Sequence, residues 1–237
     1  MNKLYFETID STNTYLKKNY LDLKHNTWLS TNHQTSGKGR ISKSWYGNEN
    51  SLMCSLLLKT NLAYDQISLI PLLAAKSLHQ VLIKYHPDIK IKWPNDLLID
   101  NKKIAGILVE SMTQENKVTA IIIGFGININ HQTFTPEIKD LATSLFLKTN
   151  QVYDKEVIYQ ELIKQFDMDY QAYQKDSQFI IDYCNLHHAL TNKTITFTDL
   201  EVYQQAKVIT ILDNGHLLVK AKDKEMSLSS GEVSIIK

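Results

Sequence analysis

Alternating and continuous apolar runs divide the chain into a strand-rich first half, a helical middle and a strand-rich end. Leu4, Tyr5 and Phe6 begin a short strand. Asp10, Ser11, Thr12 and Asn13 then offer N-caps to a polar helix running from Tyr15 to about Leu21. Residues 51–59 (SLMCSLLLK) read as a buried strand. Ser68 is placed to cap a largely buried helix from Leu69 to about Tyr85, with Pro71 in its tolerant first turn. Apolar runs at 97–99 and 104–109 flank a polar turn at 100–103, the pattern of a β-hairpin. Residues 118–123 form a β-branched strand leading into Gly124-Phe125-Gly126-Ile127-Asn128-Ile129-Asn130. Helical structure starts near 143–146, and Ile158, Leu162, Phe166, Tyr170 and Tyr173 mark the core stripe of a longer helix. A second short helix covers 178–186. From Thr191 onward short β-patterned runs return, and Asp213-Asn214-Gly215 is a hairpin-turn signal. These elements predict an α+β fold, with a catalytic-sized unit over 1–190 and a small β-domain over 191–237. No Pro-, Gly- or Ser-rich linker separates the two, so the β-domain is expected to pack on the rest.

Composition narrows the function classes. With 237 residues, 43% hydrophobic and 22% charged, the chain can build a proper core and is not a disordered segment. Its formal charge of +1 excludes a general polyanion binder, so any nucleotide must meet a local cluster of charge. Cys54 and Cys184 are the only cysteines and match neither a metal spacing nor a disulfide framework, which points to a reducing compartment. The N-terminal MNKLYFETIDSTN has no apolar signal core, and no run reaches transmembrane length, so a cytoplasmic protein is expected. His79 and His86 have no partner at ligand spacing and are expected at the surface or rim. His187 and His188 have no carboxylate or cysteine set beside them, and metal binding is not expected there.

Three stretches carry candidate chemistry. Lys92-Trp93-Pro94-Asn95-Asp96 packs a cation, an aromatic, a rigid break, an amide and a carboxylate ahead of the hairpin. Pro94 is expected to hold Trp93 extended. Gly106, inside the second hairpin strand, marks a bulge or a close approach of backbone to ligand. No acid occurs between Asp22 and Glu49, a region that holds Gly37-Lys38-Gly39-Arg40, Lys43 and Trp45. Glycines free the backbone to wrap an anion, and Lys and Arg add fixed positive charge. Neither GxxxxGK[ST] nor GxGxxG occurs in this loop. Asn128 and Asn130 would share a strand face with Gly124 and Gly126.

Taken in order, DSTN, a Gly-basic loop ending in Trp, KWPNDLLIDNKKIAGILVE, GFGININ and a small C-terminal β-domain resemble the biotin protein ligases. The resemblance spans nearly the whole chain. It implies a catalytic mixed sheet with helices, related to class II aminoacyl-tRNA synthetases, followed by an SH3-like domain. It implies ATP and biotin as substrates with Mg²⁺, formation of biotinyl-5′-AMP, and transfer of biotin to a lysine of a biotin carboxyl carrier protein. Nine residues precede Asp10, which leaves no room for the DNA-binding winged helix of some members. The enzyme-only form without DNA binding or a membrane partner is therefore expected, with a homodimer as an option. By the same resemblance Ser11, Thr12, Asn13 and Gln34 contact biotin, and Gly37 and Gly106 admit it closely. Lys38 and Arg40 fold over biotin and phosphate, and Lys103 serves the carboxylate and α-phosphate. Trp45, Asn95 and Asn128 lie on the nucleotide side. Asp96 matches a carboxylate that orients the incoming lysine or a metal, making Lys103, Arg40 and Asp96 the catalytic set. The family loop is typically GRGRRGR, whereas residues 37–43 here are GKGRISK. Lysine cannot make the bidentate fork of arginine, so a weaker hold on the adenylate is implied. A lipoate–protein ligase and a catalytically silent biotin-binding module are the alternatives. KWPND with AGILVE favours biotin over lipoate, and the basic loop with Lys103 favours an enzyme over a silent binder.

Overall fold

Two β-sheets share one core in the computed structural model, which describes residues 1–40, 43–62, 67–199, 202–222, 224–229 and 233–235. Ile41 and Ser42 of the basic loop lie outside the described residues, as do parts of the closing strand segment. The first sheet has the order β1-β2-β3-β7-β6-β5-β4. Its strands are β1 (Asn2–Ile9), β2 (Thr27–Gln34), β3 (Ser51–Leu62), β4 (Lys90–Lys92), β5 (Asp96–Ile99), β6 (Lys102–Gln114) and β7 (Lys117–Asn128). β1 and β2 run parallel and every other pair is antiparallel, giving the expected mixed sheet.

The two faces of this sheet are covered differently. On one, Leu56, Leu58, Ile121, Ile123, Phe125 and Ile127 pack under α2 (Ile70–Leu82), α4 (Lys155–Tyr173) and α5 (Gln178–Leu186), with the short α3 (Leu145–Thr149) preceding α4 in the chain. Leu72, Leu73, Leu78 and Leu82 of α2 are fully buried there, each contributing roughly 1.5–3 kcal/mol. On the other, Leu57, Ala120 and Ile122 pack with Leu16 of the single short helix α1 (Thr12–Asn19). Beyond the N-terminus of α1 the same face continues as Ser55, Gly124, Gly126 and Asn128, because successive residues alternate sides. There the face is small and polar, and past the first turn of α1 no helix covers it. That gap is where the cavity forms.

Several sequence expectations shift. Ser68 does not cap α2: Leu69 occupies the cap position without a side-chain bond, and Pro71 sits in the first turn as expected. The helix ends at Leu82, and residues 84–86 continue only in turn-type bonds before Pro87, whose ring disfavours helix in its predecessor. His79 is not a surface residue: it is fully buried, with Nε2 2.9 Å from the Ile89 carbonyl and Nδ1 2.8 Å from Tyr183 Oη. Burial pushes its pKa down to about 4, so the ring is neutral and structural. The expected hairpin is present as β5 and β6, turning at Asp100 and Asn101 with φ of 50° and 62°. Such paired positive φ values suit the right-handed twist of a two-residue turn. Residues 93–95 form a second turn, between β4 and β5, with a cis Trp93–Pro94 peptide.

The second sheet has the order β11-β10-β9-β8-β12 and is antiparallel throughout. It comprises β8 (Thr194–Asp199), β9 (Val202–Ile211), β10 (Leu217–Ala221), β11 (Lys224–Leu228) and β12 (Val233–Ile235), as an SH3-like C-terminal β-domain would. Ile195, Val208, Leu217 and Val219 join the core beneath α2 and α5. Asn185 of α5 bonds both backbone groups of Ile211, at 2.8 and 2.9 Å. The turn at Asp213-Asn214-Gly215 reaches further: Trp93 Nε1 donates to the Gly215 carbonyl at 2.8 Å. Gly215 has φ 82°, and a Cβ there would meet Leu69 Cδ2 at 2.8 Å, so only glycine fits. Among the described residues no helix is long and apolar enough to cross a membrane.

Candidate active site

The uncovered stretch of sheet opens into a cavity of about 310 Å³. Its floor is the start of α1 with the end of β2: Ser11, Thr12, Asn13 and Gln34. One wall is the loop between β2 and β3, with Lys38, Arg40 and Trp45; the opposite wall is the double hairpin, with Asn95, Asp96 and Lys103. Gly106, Gly126 and Asn128 line the sheet side. Phe134, Ile138, Leu141 and Ala142 close an apolar side. Twelve of the thirteen residues singled out in the sequence therefore line one cavity. Gly37 is the thirteenth: it is buried at the neck of the loop, its carbonyl accepting from Trp45 N at 3.0 Å.

The floor is an interlocked set of short hydrogen bonds. Ser11 Oγ accepts from Thr14 N at 3.4 Å, the expected helix cap. Thr12 N donates to Gln34 Oε1 at 2.8 Å, and Thr12 Oγ1 lies 3.1 Å from the same oxygen. Ser55 Oγ lies 2.6 Å from both Thr12 Oγ1 and Asn13 Oδ1. Asn13 Nδ2 donates to Glu110 Oε2 at 2.9 Å.

The walls bring charge together. Lys103 Nζ pairs with Asp96 Oδ1 at 2.7 Å. The backbone of Lys103 is clamped on both sides, its N donating to Leu141 O at 2.7 Å and its O accepting from Thr143 N at 2.9 Å. Gly106 stays in register, opposite Asp96 and Gly126; the irregularity falls at Ile104, so of the two readings of Gly106 the bulge is not the one present. A Cβ at Gly106 would come 2.8 Å from Lys103 Nζ. Arg40 Nη1 donates to Asn95 Oδ1 at 2.8 Å, and Asn95 is itself anchored on Ile107 O at 2.7 Å. The Trp45 ring lies flat enough on Gly126 that any Cβ there would overlap it, and Lys103 Nζ stands 5.8 Å from the ring centroid. The described lining carries five cationic side chains, Lys38, Arg40, Lys43, Lys92 and Lys103, against one carboxylate, Asp96. In a chain of net charge +1 this is a local concentration of positive charge.

Sequence reasoning missed Ser55, Glu110 and the 134–142 segment. Ser55 is a hydroxyl on the helix-poor face of an otherwise apolar strand, a signal that alternation alone exposes. Phe134, Ile138 and Leu141 recur at four and three residues in a stretch otherwise read as connection.

The profile of the biotin/lipoate A/B protein ligase family matches residues 5–128. A bifunctional ligase/repressor BirA of Bacillus spizizenii is 31% identical over 98% of this chain and 73% of its own. A biotin–[acetyl-CoA-carboxylase] ligase of Paracoccus denitrificans is 32% identical over 51% of each chain. In three dimensions, the biotin protein ligase from Aquifex aeolicus, solved in complex with biotin and ATP, superposes with a TM-score of 0.86. It is 25% identical and is covered over 99% of its length by all of this chain.

Proposed function

This chain belongs to the biotin/lipoate A/B protein ligase family, and from that premise we infer that it is an ATP-dependent biotin protein ligase. It joins biotin to AMP with loss of pyrophosphate, then passes biotin to a lysine of a biotin carboxyl carrier protein. The observation that carries this reading is the cavity itself: a neutral polar floor suited to a ring, beside walls with five cations facing one carboxylate.

The roles follow from the charges. In the first step an oxygen of the biotin carboxylate attacks the α-phosphorus of ATP, and the bond to the pyrophosphate oxygen breaks. Two anions must approach, so fixed positive charge between them lowers the barrier. Lys103, rooted in β6 and held by Asp96, is our candidate for that charge. Ser11, Thr12, Asn13, Gln34 and Gly106 would receive the biotin ring, with Gly37 shaping the loop behind it. Lys38 and Arg40 would close over the carboxylate and phosphates. Trp45, Asn95 and Asn128 would serve the nucleotide. In the second step the carrier amine attacks the acyl carbon and AMP leaves. Asp96 is the one described lining carboxylate available to orient that amine. Among the described residues no three His, Cys, Asp or Glu side chains gather into a metal site. Mg²⁺ would accordingly take most of its ligands from ATP phosphates, beside Asp96, and neutralise phosphate charge there. We place the catalytic domain at 1–190 and the SH3-like domain at 191–237, in keeping with the start of the second sheet at Thr194.

Exchange of label between pyrophosphate and ATP tests the reading. Biotin is expected to support exchange, and lipoate and octanoate are not. Exchange with lipoate alone would make the chain a lipoate ligase. Biotin binding without exchange would make it a silent binder.

A further inference from the structure

Two polar residues outside the cavity, the buried Ser55 and the half-buried Glu110, contact its floor, and the hydrogen bonds between them have only one consistent direction. Glu110 sits on β6, with Oε1 2.7 Å from Lys17 Nζ of α1 and Oε2 2.9 Å from Asn13 Nδ2. Burial works to raise its pKa, but the bonds from Lys17 and Asn13 outweigh it and hold the carboxyl below its ordinary range. An ionised carboxylate only accepts. Asn13 must therefore turn its amide nitrogen to Glu110, a choice that the Leu108 carbonyl, 3.3 Å from the same nitrogen, reinforces. Asn13 Oδ1 then faces Ser55 and also only accepts, so the Ser55 hydrogen is committed to it at 2.6 Å. A hydroxyl has one hydrogen. The remaining 2.6 Å contact, between Ser55 and Thr12, must use the hydrogen of Thr12. The longest contact, 3.1 Å from Thr12 Oγ1 to Gln34 Oε1, is left without one, and that oxygen is already satisfied by Thr12 N. Thr12 Oγ1 thus meets the cavity with lone pairs.

We propose that Glu110, acting through Asn13 and Ser55, sets the polarity of the floor so that Thr12 presents an acceptor and selects a ring carrying an N–H donor. Glu110 and Ser55 are positioning residues, since neither lines the cavity. The identity of the ring rests on the ligase reading above: the ureido ring of biotin has two N–H groups, whereas a dithiolane or an alkyl chain has none. An acceptor fixed in a dry floor and left unpaired disfavours the wrong ligand more than it rewards the right one. Glu110→Gln removes this constraint. A glutamine can donate as well as accept, so the Asn13 amide can flip, Ser55 can donate to Thr12, and Thr12 loses its fixed acceptor role.

The test is calorimetric, on the full chain, with biotin and with its cyclopentanone analogue, in which CH₂ replaces each ureido N–H. The unmutated protein is expected to prefer biotin by on the order of 10²-fold. Glu110→Gln should weaken biotin about tenfold and leave the analogue within about twofold, so the preference shrinks. Ser55→Ala, which breaks the chain in its middle without changing charge, should shrink the preference in the same direction. An unaltered preference in Glu110→Gln and Ser55→Ala would overturn the proposal. So would equal weakening of both ligands, the signature of a merely structural role. Failure of the unmutated chain to bind biotin would instead sink the ligase reading, and the two failures are read from different proteins.

Discussion

Lys103 and Arg40 bring positive charge to one cavity from opposite kinds of structure. Lys103 sits in β6, its backbone bonded to 141–143 on both sides and its ammonium locked to Asp96. Arg40 sits in a loop whose described backbone bonds are few: Gly39 to Lys43, Lys43 to Arg40 and Trp45 to Gly37. Its guanidinium reaches across to Asn95. The difference suits the roles proposed for the two charges. Charge that serves the reacting atoms gains most from being fixed before the substrate arrives, because no reorganisation is then needed in the transition state. Charge that covers the ligand has to leave an entrance, and an apolar-poor loop opens at small cost.

The comparison breaks most sharply at Lys103. Lys103→Ala is expected to cut biotin-dependent pyrophosphate exchange by on the order of 10²-fold or more while the protein stays folded. The variant also leaves Asp96 without its cation, so circular dichroism and a melting curve belong beside the assay. Adenylation at the unmutated rate would remove Lys103 from the catalytic set and leave the sheet with no special claim on the chemistry.

A smaller effect is expected where the rigid half is anchored. Trp93 donates from a buried position to the Gly215 carbonyl of the second sheet, two residues before Asn95 and three before Asp96. Trp93→Phe keeps an aromatic ring and strands that carbonyl, at about 1–3 kcal/mol. Melting temperature should fall by several degrees, and turnover in the exchange assay should fall severalfold with the KM for biotin unchanged. That split separates a displaced Asn95–Asp96 turn from a general loosening, which would raise the KM as well. Unmutated turnover in a variant with a lowered melting temperature would reduce the latch to a stability feature.

What could be read in the sequence follows the same division. The stretch from Lys92 to Gly106 was legible because its chemistry is dense and local: cations, an amide, a carboxylate and a glycine sit on three consecutive strands and the turns between them. The capping run Ser11–Thr12–Asn13 was legible for the same reason. Ser55 was not, because its partners lie 42 and 43 residues away and only pairing of β3 with β7 puts it beside α1. His79 looked peripheral since no side chain near it in sequence is a partner; Ile89 O reaches it from the chain that leads into β4, and Tyr183 Oη only once α5 packs on α2. The role of the 134–142 segment depends on the carbonyl of Leu141 meeting Lys103, another contact without a local signature. The Asp213-Asn214-Gly215 turn was plain as a turn, but its bond to Trp93 spans 122 residues.

The smallest expected effect is also the one that most directly separates the two regions. The loop offers few apolar anchors: Lys38 and Lys43 are exposed and Arg40 is half-buried, whereas Leu97, Ile99 and Ile104 of the hairpin are fully buried. With no ligand, the amides of Gly39 and Trp45 are protected only by bonds inside the loop itself. Opening it breaks those bonds, exposes little apolar surface and regains chain entropy, so exchange there should be fast. Biotin with ATP adds anionic groups that Lys38 and Arg40 can hold, and closing then gains charge-assisted bonds to those groups. Hydrogen exchange at 37–40 and 43–45 should therefore slow by about tenfold when both ligands are present. The hairpin amides at 96–106 should be protected in both states, since their bonds are sheet bonds already made. Equal protection of the loop with and without ligand would mean that Arg40 is as fixed as Lys103.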